Sequence, residues 1–325
     1  MKKSVLHLSI QSPGYDTSAM IKAWGELGYE VTTFHWQQYK FNNGAEALQP
    51  EVLRLAKEKD YEIIFCHIQN PEAFNLDFWK ELSNYGFVIN YSFDVRSKEE
   101  TKWMYDTAPH IGLTVFACYD DVEHCQERGI ENVCHSHSSC DMEVFKPNGK
   151  KLYAFDVTFC GNKYTDTNLN FPLAQERQDM IAFLEKEYPA NFMSYGLGQK
   201  GGPIIAGVEA NVYNFSRIAI VQNNFERQNY TSDRLWRIMA TGTMCLCKWF
   251  PGIEDVFQKE IHLDTWRNFD ELNGLIKFYL SDEKERLSIA EVGCNLVREN
   301  HRWVDRFAEI EKKVAQFQKI PTFEA

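Results

Sequence analysis

The chain has 325 residues, 44% of them hydrophobic and 25% charged, with 14% aromatic and a formal net charge of −11. That length admits two domains of ordinary size. The acidic balance offers no global attraction to nucleic acid or to an anionic membrane, and no apolar run approaches the roughly 20 residues that span a bilayer. Nine cysteines, an odd number without a regular framework, point to reduced thiols in a cytoplasmic protein.

The N-terminal Met-Lys-Lys has the charge of a signal peptide, but His7 and Ser9 break the apolar stretch that follows, which reads as a first buried strand over 5–10. From there strand and helix signals alternate. Strands are expected at 30–34, 61–67, 86–91 and 113–118. Helices are expected at 17–27, 50–59, 74–84, 97–105 and 121–128, the first and last stopped by Gly28 and Gly129. Such alternation argues for a parallel sheet covered on both faces, with ligands in the loops at the carboxyl ends of the strands.

Around 145–151 the pattern breaks into a polar, proline- and glycine-bearing linker, and then restarts. Strands are expected at 156–160, 191–195, 216–222, 243–247 and 261–263, with helices at 174–188, 270–280, 282–300 and 303–318. Gly196 opens a glycine-rich loop that runs to Gly202. Between two of these strands, Thr231, Ser232 and Asp233 are all good N-cap residues, and Leu235, Ile238 and Met239 follow at helical spacing up to Gly242. A hydroxyl-rich helix start with Arg234 and Arg237 one turn apart suits a phosphate; an ordinary capped helix with solvated arginines has the same pattern. The run Cys125, Cys134, His135, His137, Cys140 matches no common zinc spacing, so no metal site is expected.

The order of features resembles the GT-B glycosyltransferase family typified by the spore maturation protein CgeB. Gly129-Ile-Glu-Asn-Val and Cys140-Asp-Met-Glu-Val-Phe-Lys-Pro147 look like the end of that family's first domain, and Phe155-Asp-Val-Thr-Phe-Cys-Gly161 like the opening strand of its second. Tyr213-Asn-Phe-Ser-Arg-Ile218, Thr231-Ser-Asp-Arg-Leu-Trp and Ala240-Thr-Gly242 follow its signature order. Glu285-Arg-Leu-Ser-Ile-Ala and His301-Arg-Trp-Val-Asp-Arg306 match its closing block. The resemblance implies two Rossmann-like domains facing a central cleft: an acceptor-side domain over 1–148, a nucleotide-sugar domain over 149–302, and a C-terminal helix, 303–325, crossing back to the first. It implies a glycosyltransferase, most simply a hexosyltransferase. The donor would be a nucleotide-diphosphate sugar such as a UDP-sugar. The acceptor would be a hydroxyl on a glycan, a protein or a modified nucleobase. No metal or other cofactor is implied, because side chains, helix N-termini and backbone amides neutralise the leaving diphosphate. The alternatives are a non-catalytic nucleotide-binding protein of the same fold and an enzyme of modified DNA bases, against which the net charge weighs.

Within this frame Ser232, Asp233 and Arg234 are the first candidates for the diphosphate, which a helix start and a guanidinium fork can hold together. Gly161, Asn162 and Lys163 follow the first strand of the second domain, and Tyr195 and Gly196 end the next; both loops suit donor contact, and plain turns would look alike. Asn214 and Arg217 adjoin a buried strand, Arg217 as a diphosphate contact or as a structural ion-pair partner. Related retaining enzymes usually carry a ribose-binding carboxylate at the position of Arg237, and arginine has only donors. Either Asp233 or Asp255 then meets the ribose, or Arg237 meets phosphate. In the first domain Ser12 and Gly14 lie in the first strand-to-helix loop. Asp94 is a candidate general base with a salt bridge to Arg96 as its other reading, and His67 is a rival base or a core histidine.

Overall fold

The computed structural model describes residues 3–10, 15–69, 71–149, 152–164, 171–204 and 207–318. Ser12 and Gly14 lie outside the described residues. The chain divides into two compact units, Met1–His137 with Trp303–Ala325, and Ser138–Arg302.

The first unit carries six strands, β1 (Ser4–Ser9), β2 (Glu30–His35), β3 (Ile63–Cys66), β4 (Phe87–Ser92), β5 (Leu113–Phe116) and β6 (Val133–His135). All are parallel, in the order β2-β1-β3-β4-β5-β6. Helices α1 (Tyr15–Glu26), α2 (Trp36–Asn43), α3 (Leu48–Glu58), α4 (Leu76–Leu82), α5 (Lys98–Thr107) and α6 (Tyr119–Gln126) connect them. One face of the sheet is covered by an apolar cluster containing Trp36, Val52, Phe78 and Trp79, contributed by α2, α3 and α4. The other is closed by α1 together with the last helix of the chain, Trp303–Phe317, where Trp24 stacks on Phe307 at 4.3 Å between ring centres. That pairing has an ionic rim, because Glu311 binds Lys3 and accepts from the Tyr29 hydroxyl. The helix α2 has no counterpart in the sequence reading: only Trp36 of its eight residues is buried, so no apolar stripe marks it.

The second unit repeats the plan. Its strands β7 (Phe155–Cys160), β8 (Phe192–Tyr195), β9 (Ser216–Val221), β10 (Met244–Lys248) and β11 (Asp264–Trp266) are parallel in the order β11-β10-β9-β7-β8. The helices are α7 (Ala174–Glu187), α8 (Val208–Asn214), α9 (Asp233–Ala240), α10 (Phe269–Ser281) and α11 (Glu283–Asn300). The helix over 303–317 is then α12. The last strand sits at 264–266, three residues beyond the expected 261–263. Ile261 is exposed, whereas Asp264 is buried against the Tyr279 hydroxyl at 2.9 Å.

In each unit the chain leaves the first strand toward one side and returns to form the third on the other. The order reverses between β1 and β3, and again between β7 and β9. In a sheet of this kind the connections diverge at that point and leave a crevice beyond the carboxyl ends of the strands, the usual seat of a ligand. Fold alone therefore singles out two places, one per unit.

Candidate functional site

The crevice of the second unit opens past Cys160 and Val221. Gly161 follows β7 and is clamped by its neighbours: its N–H donates to the Tyr195 carbonyl at 2.7 Å, and the Gln199 amide donates to its carbonyl at 3.0 Å. A Cβ on Gly196 would stand 2.4 Å from the Gly161 carbonyl oxygen, and Gly196 has φ +137°, so only glycine lets these two loops touch. Asn162 accepts from the Leu197 N–H at 3.0 Å and the Lys163 N–H donates to the Leu197 carbonyl at 2.8 Å. The glycine-rich segment 196–202 is thus a hydrogen-bonded loop laced to 161–163, with the Lys163 side chain exposed above it.

Across the crevice stands the start of α9. Asn223, just past β9, accepts from the Ser232 N–H at 3.0 Å and donates to the Tyr230 carbonyl at 3.1 Å, which fixes the approach to the helix. Ser232 has the extended backbone of an N-cap, yet its hydroxyl makes no capping bond, and its buried oxygen has no partner among the described residues. Arg234, partly exposed in the first turn, has a buried Nε equally without a partner. An uncapped helix start, an unsatisfied hydroxyl and an unsatisfied guanidinium Nε together present donors that suit an anion.

A second cation stands behind them. Arg177 of α7 is fully buried; its Nη2 donates to the Gln222 carbonyl at 2.6 Å, while Nε and Nη1 have no partner among the described residues. Its Nη1 would be 3.7 Å from a Cβ on Gly161. Burial first, then the charge of Arg234, pushes its pKa down to about 9. The buried amide of Gln222 is also unsatisfied at both ends. The sequence reading passed over Arg177, although the signal was present: 177, 180, 181 and 184 form one helical stripe, and the other three are Met, Ile and Leu.

Arg237 is differently placed. Its guanidinium binds Glu209 of α8 at 3.0 Å and Asp233 at 2.6 Å, over the Phe145 ring. Glu209, also overlooked in the sequence, is buried and accepts from the Tyr213 hydroxyl at 2.6 Å. Arg237 therefore has a carboxylate partner on each side, and Asp233 stays about a third exposed (35%) at the helix start. Asp255 lies in the short turn after β10 and accepts from Asn229 at 3.0 Å. Asn214 and Arg217 do not join this group. Asn214 ends α8 and Arg217 is the second residue of β9, so both stand at the amino end of that strand, where Arg217 pairs with Asp156 at 3.0 Å and covers the Tyr153 ring, and Asn214 donates to the Lys146 and Ala210 carbonyls.

In the first unit, His67 and Asp94 follow β3 and β4 and are linked through Gln69. With its amide turned to satisfy its neighbours, Gln69 donates to Asp94 Oδ2 at 2.9 Å and accepts from His67 Nε2 at 3.3 Å. Asp94 also accepts from Arg96 at 3.1 Å, and its side chain is 46% exposed. His67 is buried; burial and then the adjacent His7 push its pKa down to about 3, which leaves a neutral imidazole. All nine cysteines are buried and unpaired with one another. Among the described residues no group of three or more His, Cys, Asp or Glu side chains could hold a metal ion. No helix of the described residues is long and apolar enough to cross a membrane.

Residues 150–312, half of the chain, match the family described as "Glycosyl transferase-like". No curated protein matches significantly. Among solved structures, Anabaena Alr3699/HepE in complex with UDP-glucose superposes with a TM-score of 0.69 at 11% identity, covering 96% of this chain and 99% of that one. Sucrose-phosphate synthase from Thermosynechococcus elongatus gives 0.66 at 9% identity over 98% and 99%. An alpha-glucosyltransferase in complex with UDP and a 13-mer DNA containing a HMU base gives 0.68 at 12% over 97% and 99%. At such identities the likeness is one of fold: two parallel-sheet α/β units of the GT-B type, as the motif order leads one to expect.

Proposed function

We propose, since this chain belongs to the glycosyl transferase-like family, that it moves a sugar from a nucleotide-diphosphate sugar held by the second unit to a hydroxyl acceptor. The observation that carries this reading is the helix start at Ser232–Arg234, where a buried hydroxyl and a guanidinium Nε without a partner among the described residues stand beside first-turn amides at a topological switch point. A diphosphate seated there accepts from Arg234 and from the helix end. These donors stabilise the charge that builds on the leaving group as the glycosidic bond breaks, which is electrostatic catalysis by fixed dipoles. We assign Gly161, Asn162, Lys163, Tyr195 and Gly196 to the opposite wall, and to the ribose hydroxyls Asp233, whose carboxylate is partly exposed.

UDP-hexoses are the donors we favour, because the Anabaena neighbour holds UDP-glucose and the DNA-bound neighbour holds UDP. Transfer proceeds without a bound metal, the guanidinium and helix amides taking over the neutralisation. The motif order over 129–306 supports a CgeB-type enzyme, and nine buried cysteines with no disulfide among them suit the cytoplasm. On the acceptor side Asp94 is the better base: its carboxylate reaches solvent, whereas His67 is neutral and too weakly basic. Asp94→Asn then keeps donor affinity and lowers the transfer rate by about 10²–10⁴-fold; an unchanged rate would remove Asp94 from that role.

The test is a panel of nucleotides and nucleotide sugars against the purified chain, read by melting temperature and by release of nucleoside diphosphate. A true donor stabilises the folded state by mass action and is slowly hydrolysed. Binding without release across the panel would favour a nucleotide-binding protein without catalysis, and no shift with any compound would sink the donor site. Transfer to a modified nucleobase is a second reading, favoured by the DNA-bound neighbour. Failure to retain hydroxymethylated DNA at low as well as physiological salt would dispose of it.

A further inference from the structure

Arg177 poses a problem that the donor reading alone does not solve. Its side chain is completely buried, on the apolar stripe of α7 formed with Met180, Ile181 and Leu184. Its guanidinium lies 5.6 Å from the centre of the Phe159 ring and 5.9 Å from that of Tyr164, and only Nη2 has a hydrogen-bond acceptor, the Gln222 carbonyl. No carboxylate among the described residues forms an ion pair with it, and the charge it feels is that of a second cation, Arg234. Burying a cation without a counter-charge destabilises a fold, and an apolar side chain of similar length would fill the same space without that cost. Such an arrangement is expected where the missing charge arrives with a ligand.

Its position says which part of a ligand. Arg177 lies between the Gly161 backbone and the carbonyl of Gln222, at the reversal point of the sheet and near enough to Arg234 for the two charges to repel. Its free N–H groups are covered, so it acts on the crevice through its field, in a low-dielectric interior where that field is little screened. A field of this kind scales with the charge that enters it, so it rewards the second phosphate of a diphosphate more than any neutral part of the nucleotide. We infer that Arg177 is a specificity-determining residue of the donor site, selecting nucleoside diphosphates over monophosphates by long-range attraction rather than by contact. This rests on the second unit being the nucleotide-sugar site.

The experiment compares UDP and UMP binding by calorimetry on the full chain, for the wild type, Arg177→Met, Arg177→Gln and Arg177→Lys, with melting temperatures measured alongside. The expected result is that Arg177→Met and Arg177→Gln melt no lower than wild type without ligand, while their preference for UDP over UMP falls at least tenfold. Arg177→Lys, which keeps the charge, restores most of that preference. A residue that merely packed would lower the melting temperature and weaken both nucleotides alike. An unchanged UDP-to-UMP ratio in the folded variants overturns the inference and leaves the donor site standing. Loss of the fold in both Met and Gln variants also overturns it, since the charge would then be an asset to the empty protein. A wild type that binds neither nucleotide overturns the donor site itself, and this inference with it.

Discussion

Arg177 and Arg286 are both completely buried in the second unit, and they stand at opposite edges of one sheet. Arg286, at the start of α11, has the Glu283 carboxylate at 3.2 Å and donates to the Tyr279 carbonyl at 2.8 Å; Arg177, at the carboxyl edge, has a single carbonyl and a like-charged neighbour. The two edges differ as their arginines do. The amino edge holds a cavity of about 420 Å³, lined among others by Asn214, Arg217, Thr243 and Arg286, each of which has at least one hydrogen-bond or ion-pair partner, with the Arg286 Nε alone of their atoms buried and unsatisfied among the described residues. The carboxyl edge holds unsatisfied donors at Arg177, Gln222, Ser232 and Arg234. Empty volume is a cheap by-product of irregular packing, whereas a buried donor without an acceptor costs stability each time it occurs. Where the two disagree, the unbalanced edge is the better guide to a ligand.

Three substitutions can break or sharpen that contrast. The largest effect is expected at a balanced pair: Glu209→Ala leaves the Arg237 guanidinium and the Tyr213 hydroxyl short of a buried partner. It should cost about 3 kcal/mol of stability, read by denaturant unfolding. A loss under about 1 kcal/mol would mean that Asp233 alone satisfies Arg237. Next comes the unbalanced edge, where Arg234→Ala should weaken UDP binding by about 10–100-fold, the worth of a charge-assisted hydrogen bond of roughly 1.5–3 kcal/mol. The melting temperature of the empty protein should hold, since no described partner is lost; unfolding would make Arg234 structural. The smallest is Arg217→Ala at the amino edge. Removing a part-exposed ion pair should cost less than about 1 kcal/mol and leave UDP affinity unchanged, and a weakened donor would return Arg217 to the binding site.

Much of the fold was legible because local signals agreed with the tertiary plan. Apolar runs such as 63–66 and 218–221 became central strands, and Gly28, Gly129 and Gly242, all at positive φ, end their helices where the sequence marks a stop. What escaped lacked such agreement: α2, polar nearly all round, and α8, whose Glu209 disguised a buried stripe with Val212 and Tyr213. The candidate site was legible at Gly161 and at Ser232–Arg234, where residue types with special backbone or capping roles interrupt apolar elements. Arg177 was hidden by the habit of assigning arginine to the solvent face, although its spacing put it with the core. Asn214 and Arg217 illustrate the remaining limit. Both adjoin β9, but Asn214 lies just before the strand and Arg217 at its second position, so they stand at its amino end, away from the carboxyl edge of the parallel sheet.

The central claim is that the second unit's carboxyl edge, and not its cavity, receives the donor. Hydrogen exchange of backbone amides with and without saturating UDP tests it most directly. The account predicts new protection in 161–164, 222–224 and the first turn of α9 at 232–236, with none in 147–149 or 286–295 around the cavity. Protection confined to the cavity segments, with the start of α9 unchanged, would contradict it.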